Sequence, residues 1–439
     1  MDKPIVSLLT KDSPALAAFA LRAEDEPWLD ACYVPPQDLD LIAGARSALV
    51  FGEPGSGKTA LYRMLLRRLR PPDQRPNRLV VEWRPGLLLP DTPADSSTAE
   101  AMLDRVLAAC AIELARHIER WPDEFSAAPE DVQNTLAWFS HRYLASESVS
   151  GPLNRPAHDA FLDQALPQHR IAELVKALGE IGLSSVCVLV GPDELGAIEV
   201  VQPGLKALLS SLNLFEQPRF VYKLVLPAEL GRNLVTTSGV ERRRLQVFDL
   251  RWLEHELMEI IERRLALATG GKARRLSDVC EDEKWPGWLA QYGGDVPRGW
   301  LEHARPLVAR YFSQGHSLTV QEWHEIRQHR PPQLSLDLKM GHVTIGQREL
   351  ANIGPAEMAL LRYLYEHRDR TCTRDELYHL AYVPVMSPKL VGQRALRKEY
   401  EGVLDTTLWR LREAIEPDPR HPIYIITRRG QGVKLENAW

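Results

Sequence analysis

No apolar run in the 439-residue chain approaches the roughly 20 residues needed to cross a bilayer, so no membrane-spanning segment is expected. Cysteine is scarce: Cys32, Cys110, Cys187, Cys280 and Cys372 stand singly, with no C-x-x-C pair and no His at metal-ligand spacing. Reduced, buried thiols are the reading. Internal repeats and low-complexity tracts are missing. The amino-terminal "PALAAFAL" is short, follows Asp2, Lys3, Lys11 and Asp12, and runs into the acidic "RAEDEP" without a small-residue cleavage site. It is a poor secretion signal, and the chain is expected to stay in the cytoplasm. Nor is there a large excess of one charge. The formal net charge of −5 argues against a chain wholly devoted to nucleic acid.

What is present is ordinary globular material, 44% apolar and 26% charged, in a length that suggests two to four units with cores of their own. The charge is uneven. From Leu334 onward 16 Lys and Arg stand against 14 Asp and Glu, net +2, while the remaining 38 against 45 give −7. That asymmetry permits a DNA-binding tail without requiring one.

Five short apolar runs, Ser47 to Phe51, Arg78 to Trp83, Ser184 to Val190, Arg219 to Leu226 and Leu245 to Leu250, read as strands separated by helices. Continuous apolar runs such as "SSVCVLV" suit strands buried on both faces of a parallel sheet, so an α/β fold is predicted. Helices dominate from a cap near Ser97 to about Leu183, and a wholly helical stretch follows Leu250. The basic, proline-containing "RQHRPPQ", Arg327 to Gln333, reads as a linker. The predicted division is an α/β domain over residues 1–250, a helical lid over 251–330 and a third domain over 334–439.

The chemistry concentrates first in "VFGEPGSGKTAL". Gly52, Gly57, Lys58 and Thr59 satisfy G-x-x-x-x-G-K-[ST] between a predicted strand and a predicted helix, the context this pattern needs. Gly52, Gly55, Ser56, Gly57, Lys58, Thr59 and Ala60 are the expected phosphate-binding set. Glycines aim successive N–H groups at phosphate oxygens, Lys58 neutralises the β and γ phosphates, and the Thr59 hydroxyl ligates Mg²⁺. ATP and Mg²⁺ are therefore the expected ligands.

The carboxylates expected near the metal lie in "VCVLVGPDEL", where Gly191 and Pro192 separate the strand from Asp193 and Glu194. Two registers stay open. In one, Asp193 holds the metal and Glu194 polarises the attacking water. In the other, the segment resembles the "DGxDE" version found in NACHT-type ATPases with Val190 in place of the first Asp, which implies slow hydrolysis, suiting a switch better than a motor. Arg298, at the start of a lid helix, resembles the sensor arginine that AAA+ and related ATPases direct at the γ phosphate. Arg242, Arg243 and Arg244 are read either as fingers offered to a neighbouring subunit or as a solvated basic turn. Together, the glycine loop, the acidic pair and "DLRWLEHELMEIIERRL" resemble the AAA+/STAND group of signalling P-loop ATPases over roughly residues 20 to 310. That resemblance implies nucleotide-dependent self-association.

The C-terminal segment reads as a small antiparallel sheet, "LSLDLKMGHVTIGQRELANI", followed by three helices and a hairpin. Pro355 opens the first helix, and Thr373 with Glu376 forms a capping box for the second. In "LDTTLWRLREAI", Leu404, Leu408, Leu411 and Ile415 make one apolar stripe. "YIITRRGQGVKL" closes the chain as a hairpin turning at Gly430 and Gly432. The layout resembles the OmpR/PhoB-type winged helix over Leu334 to Trp439. The resemblance implies double-stranded DNA as partner, with Thr407, Trp409, Arg410 and Arg412 facing the major groove or its phosphates and Arg429 reaching the minor groove. Trp409 stands where the family commonly has Arg, and Val433 replaces the wing Tyr.

Three functions follow as expectations. The first is an ATP-dependent oligomeric switch controlling DNA binding by the winged helix. The second is a STAND-like signalling ATPase, as in phage defence, whose winged helix or 98–183 helices dock a partner protein. The third is an ATPase that loads or remodels proteins on DNA in replication or transposition.

Overall fold

The computed structural model describes residues 18–19, 29–71, 74–86, 98–145, 149, 151–155, 157–195, 198–210, 217–237, 245–329, 331–346, 348–391 and 397–438. The chain divides into two compact units, residues 23–252 and residues 253–439, the latter with the first 22 residues.

The sheet unit is built on five parallel strands: β1 (Ala48–Gly52), β2 (Leu79–Glu82), β3 (Val186–Val190), β4 (Phe220–Pro227) and β5 (Gln246–Asp249). Their order is β2-β3-β4-β1-β5, with Val50 level with Val225 and Val188 level with Tyr222. All five residues of β3 are buried, as expected of a strand covered on both faces. Each such side chain contributes about 1.5–3 kcal/mol through burial. Alternation along β1 assigns Leu49 and Phe51 to one core and Ala48 and Val50 to the other.

Helix α1 (Lys58–Leu69) covers the second of these cores with Leu61, Tyr62 and Leu65. The first core is covered by α2 (Ala99–Arg120), α3 (Glu130–Tyr143), α4 (Pro167–Glu180), α5 (Ile198–Ser210) and α6 (Ala228–Thr237). Helix α2 is capped by Thr98, whose hydroxyl accepts the Ala101 N–H; the cap expected at Ser97 lies outside the described residues. Lys223 of β4 is a buried cation whose Nζ donates to the carbonyls of Gly44 and Arg46, and burial pushes its pKa down to about 8. The amine thereby anchors the segment that enters β1.

The second unit opens with α7 (Glu254–Ala268), α8 (Trp285–Tyr292), α9 (Pro297–Gln314) and α10 (Val320–His329). Trp288 meets the edge of Trp323 at 5.0 Å and of His303 at 5.2 Å, forming the centre of this helical group. Arg264 donates to the Ala18 carbonyl. The segment expected to be a linker has Pro331 and Pro332 buried, and the Pro332 carbonyl accepts the Tyr424 hydroxyl at 2.6 Å.

The remainder is a winged helix. Strands β6 (Leu334–Leu336), β7 (Val343–Ile345) and β8 (Arg348–Glu349) form an antiparallel sheet. Helix α11 (Pro355–Glu366), a helical segment over 374–386 and α12 (Arg397–Ile415) follow, and the hairpin β9 (Ile425–Arg428) and β10 (Gly432–Leu435) ends the fold. Pro355 is the first helical residue of α11, and the Thr373–Glu376 capping box is formed. All five cysteines are buried and free. No described helix is long and apolar enough to cross a membrane.

Candidate functional site: a glycine loop in one unit and a winged helix in the other

In a parallel sheet every strand ends at the same edge, and crevices beyond the carboxyl ends are where such folds bind ligands. Here β1 ends at Gly52 and feeds the glycine loop, while β3, two strands away, ends at Val190 and feeds Gly191, Pro192 and Asp193. Neighbouring strands lie about 4.8 Å apart, so these two exits are separated by about 10 Å. The start of α1 spans that gap. Thr59 Oγ1 donates to Asp193 Oδ2 at 3.0 Å, across 134 residues of sequence.

The loop's shape follows from its glycines. Gly55 has φ of 84° and Gly57 has φ of 89°, both in the left-handed region where a side chain is strained. Gly57 caps α1, so the helix starts at Lys58, and the first N–H groups of a helix have no intrahelical carbonyl to reach. A Cβ on Gly52 would crowd the Ser56 hydroxyl. Ser56 is buried, and its Oγ has no hydrogen-bond partner among the described residues. Its carbonyl accepts the Trp252 indole N–H at 2.8 Å, which holds the loop from behind. Lys58 Nζ donates to the carbonyls of Gly52 and Glu53 at 2.9 and 2.8 Å.

The expected carboxylates sit in a single 3₁₀ turn, Pro192–Glu194, after a strand that ends apolar at Val190. Asp193 is exposed and reaches Thr59; the side chain of Glu194 is not among those described. A Cβ on Gly191 would touch the Tyr62 ring at 3.0 Å, so the turn packs directly on α1. Ala60 is half-buried in the first turn of α1. Arg298 lies exposed at the second position of α9, in the other unit, and Arg242, Arg243 and Arg244 lie outside the described residues.

Sequence reasoning missed one pair at the loop. Arg232, in the first turns of α6, makes an ion pair with Glu53 at 2.5 Å and lies over the Phe51 ring, 6.0 Å from its centre. The two residues are 179 positions apart, and no spacing rule would have joined them.

A cavity of about 440 Å³ opens at the opposite edge, before β1 and β2, lined in part by Asp40, Arg68, Arg75 and Arg78. Arg68 is paired with Asp40 and Arg75 with Glu124, which accounts for two of those charges structurally.

In the winged helix, α12 buries Leu404, Leu408, Leu411 and Ile415 as the stripe predicted. The outward face carries Asp405, Thr406, Trp409, Arg410 and Glu413, with Trp409 57% exposed. Two expectations need correction. Thr407 is only 5% exposed, and its hydroxyl donates to the Val403 carbonyl one turn earlier, so it belongs to the inner face. Arg412 is half-buried: its guanidinium donates to the Ile425 carbonyl and, at 2.7 Å, to Thr427 Oγ1, so it braces the hairpin from behind. Arg429 is exposed at the hairpin turn.

Glu416, just past the end of α12, is a functional-site support that the sequence did not reveal. Its buried carboxylate accepts the N–H groups of Ile423, Tyr424 and Ile425 at 2.7–3.0 Å. Cys372 adds a further rung, exchanging two backbone hydrogen bonds of 2.8 Å with Val433. Helix and hairpin are thereby held in a fixed relation, a requirement for reading a groove and a backbone together.

Residues 347–435 match the family described as "Transcriptional regulatory protein, C terminal". The match covers the three helices and the hairpin. This part of the chain is thus similar to the DNA-binding end of transcription regulators, and a DNA-binding regulator is the coarse function it suggests.

Proposed function

We propose that the chain is a nucleotide-governed DNA-binding regulator, in which occupancy of the glycine loop controls how the winged helix engages double-stranded DNA. The observation that carries the nucleotide half is the 3.0 Å contact between Thr59 and Asp193. Both residues are required beside one metal by the phosphate-loop reading, and both stand at the strand edge where α1 begins. Thr59 and Asp193 would hold Mg²⁺, which when bound offsets phosphate charge. Lys58, the N–H groups at the start of α1 and the orphan Ser56 hydroxyl supply the donors on the protein side.

Asp193 follows a Gly-Pro step and a strand ending in Val190, so no carboxylate stands on the strand itself. This favours slow hydrolysis, the behaviour of a switch. The DNA half rests on the family match over residues 347–435 and on the exposed Trp409, Arg410 and Arg429. One small module with so few cations binds weakly alone. Nucleotide-favoured self-association would raise the effective concentration of the next copy.

A second reading, a signalling ATPase whose winged helix docks a protein, is favoured by the charge on the outward face. Arg374 pairs with Asp405, Arg428 pairs with Glu436, and Glu413 is exposed, while Val403 and Trp409 offer apolar surface.

Equilibrium titration of the full chain with fluorescent ATP tests the nucleotide half. Micromolar, Mg²⁺-dependent binding is expected, abolished by Lys58→Ala and stripped of its Mg²⁺ dependence by Asp193→Ala. Equal binding by all three proteins contradicts it.

A further inference from the structure

The cavity at the amino ends of β1 and β2 lies away from the glycine loop, and its walls carry more positive charge than the fold uses. Arg68 stands in the last turn of α1, where a cation offsets the negative end of the helix, and it also pairs with Asp40 at 2.6 Å. Arg75 pairs with Glu124 at 2.6 Å, and Glu124 also meets the buried His117 at 3.2 Å. Arg78 is different. It is half-buried at the entry to β2, makes no ion pair among the described residues, and donates only a marginal 3.5 Å hydrogen bond to the Asn77 side chain beside it.

A guanidinium that gives up water needs acceptors in exchange. The neighbouring strands supply none. Buried Lys223, on β4, directs its Nζ to the carbonyls of Gly44, which lines the cavity, and Arg46. It too has no carboxylate among the described residues. Burial, and to a lesser degree the charge of Arg78, lowers the Lys223 pKa to about 8, so the two cations are close enough to act on each other. Arg68, Arg75, Arg78 and Lys223 thus face only the two carboxylates that pair with them, Asp40 and Glu124. The walls are also held in place. Pro71 and Pro76 fix their own φ, and the Asn77 carbonyl accepts both the N–H and the hydroxyl of Ser184, at 2.7 and 2.8 Å. Gly182, with φ of 84°, leaves room for Arg75, whose guanidinium would stand 3.0 Å from a Cβ there.

We propose that this cavity is a binding site for a small phosphomonoester, with the phosphate seated on Arg78 and the rest of the molecule held by the cavity walls. A phosphomonoester carries about −1.5 to −2 charge near pH 7, which meets the unmatched positive charge of Arg78 and Lys223. A guanidinium also offers paired N–H donors that fit phosphate oxygens. The volume of about 440 Å³ is more than a bare ion needs and falls in the usual range of about 300–1,000 Å³ for small-molecule sites. The cavity lies at the far end of α1 from the glycine loop, about 18 Å along a 12-residue helix, and binding there does not depend on nucleotide at Lys58.

Isothermal titration calorimetry of the full chain with ribose 5-phosphate, AMP and citrate tests this for wild type, Arg78→Ala, Arg78→Lys and Lys58→Ala. Wild type should bind at least one of the two phosphomonoesters with Kd below about 1 mM, and about tenfold more tightly than citrate. Arg78→Ala should weaken that binding about tenfold, and Arg78→Lys, which keeps the charge without the fork, about threefold. Lys58→Ala should leave it unchanged. Arg78 has so little holding it that Arg78→Ala should melt with wild type, so a loss of binding reports the site and not the fold. Failure of both phosphomonoesters to bind, equal binding by Arg78→Ala, or loss of binding in Lys58→Ala would overturn the site. Citrate binding as tightly as the phosphomonoesters would overturn the assignment of the ligand.

Discussion

Replacing Glu416 by Ala should unfasten the hairpin from α12. The carboxylate is buried and accepts three consecutive backbone N–H groups, those of Ile423, Tyr424 and Ile425. Alanine leaves these donors facing protein with no acceptor, and a hydrogen bond to a charged acceptor contributes about 1.5–3 kcal/mol. Losses within one cluster are not additive, and water entering the space left by the side chain recovers part of them. A net cost of about 4 kcal/mol is expected, a large share of a typical margin of about 5–15 kcal/mol. Glu416→Gln keeps one oxygen acceptor and the volume, and should cost about half as much. Urea unfolding followed by far-ultraviolet circular dichroism gives the global number. Hydrogen exchange of the peptide spanning 423–435 reports whether the loss is local, since Val433 and Cys372 donate to each other in the adjoining rung. A Glu416→Ala protein within about 1 kcal/mol of wild type, with hairpin exchange unchanged, would contradict this role for Glu416, because the three donors would have to be satisfied without the carboxylate.

Gly432→Ala should be equally local: the glycine has φ of 139°, and a Cβ would overlap the Cys372 carbonyl, so a loss of about 2 kcal/mol or more is expected in the same urea assay. Burial against Trp288 lowers the pKa of His303 to about 4, below its unfolded value of about 6.5. The unfolded chain therefore takes up the proton first, and stability is lost as pH falls from about 6.5 to 4, by at most about 3 kcal/mol. His303→Gln should flatten that part of the pH–stability curve; an unchanged slope contradicts it. Arg429→Ala should lower the dependence of DNA affinity on log salt by about one unit, the loss of one cation at the duplex. Trp409→Ala should weaken some sequences more than others, because an apolar side chain can read the thymine methyl.

The strands were legible because a buried parallel strand is a short unbroken apolar run: the predicted Ser184 to Val190 contains the observed Val186–Val190, and the other four agree as closely. The apolar stripe of α12 was legible for the analogous reason at helical spacing. Thr407 was misread because the resemblance carried it over by position alone. Inside a helix, however, threonine satisfies its own donor through the carbonyl four residues back, and its methyl then packs as an apolar group. Arg412 was misread because a long side chain covers more than its own position, and this one turns back to the hairpin. The Arg232–Glu53 and Glu416 arrangements depend on contacts that only the folded chain creates, the first across 179 residues.

The most direct test of nucleotide-governed DNA binding is fluorescence anisotropy on mixed genomic duplexes across a salt series, with ATP, ADP or no nucleotide, comparing wild type with Lys58→Ala. Nucleotide-governed DNA engagement predicts salt-steep binding that ATP strengthens in wild type and leaves unaltered in the variant. Binding that is flat in every condition, or equally strong in both proteins whatever the nucleotide, would contradict it.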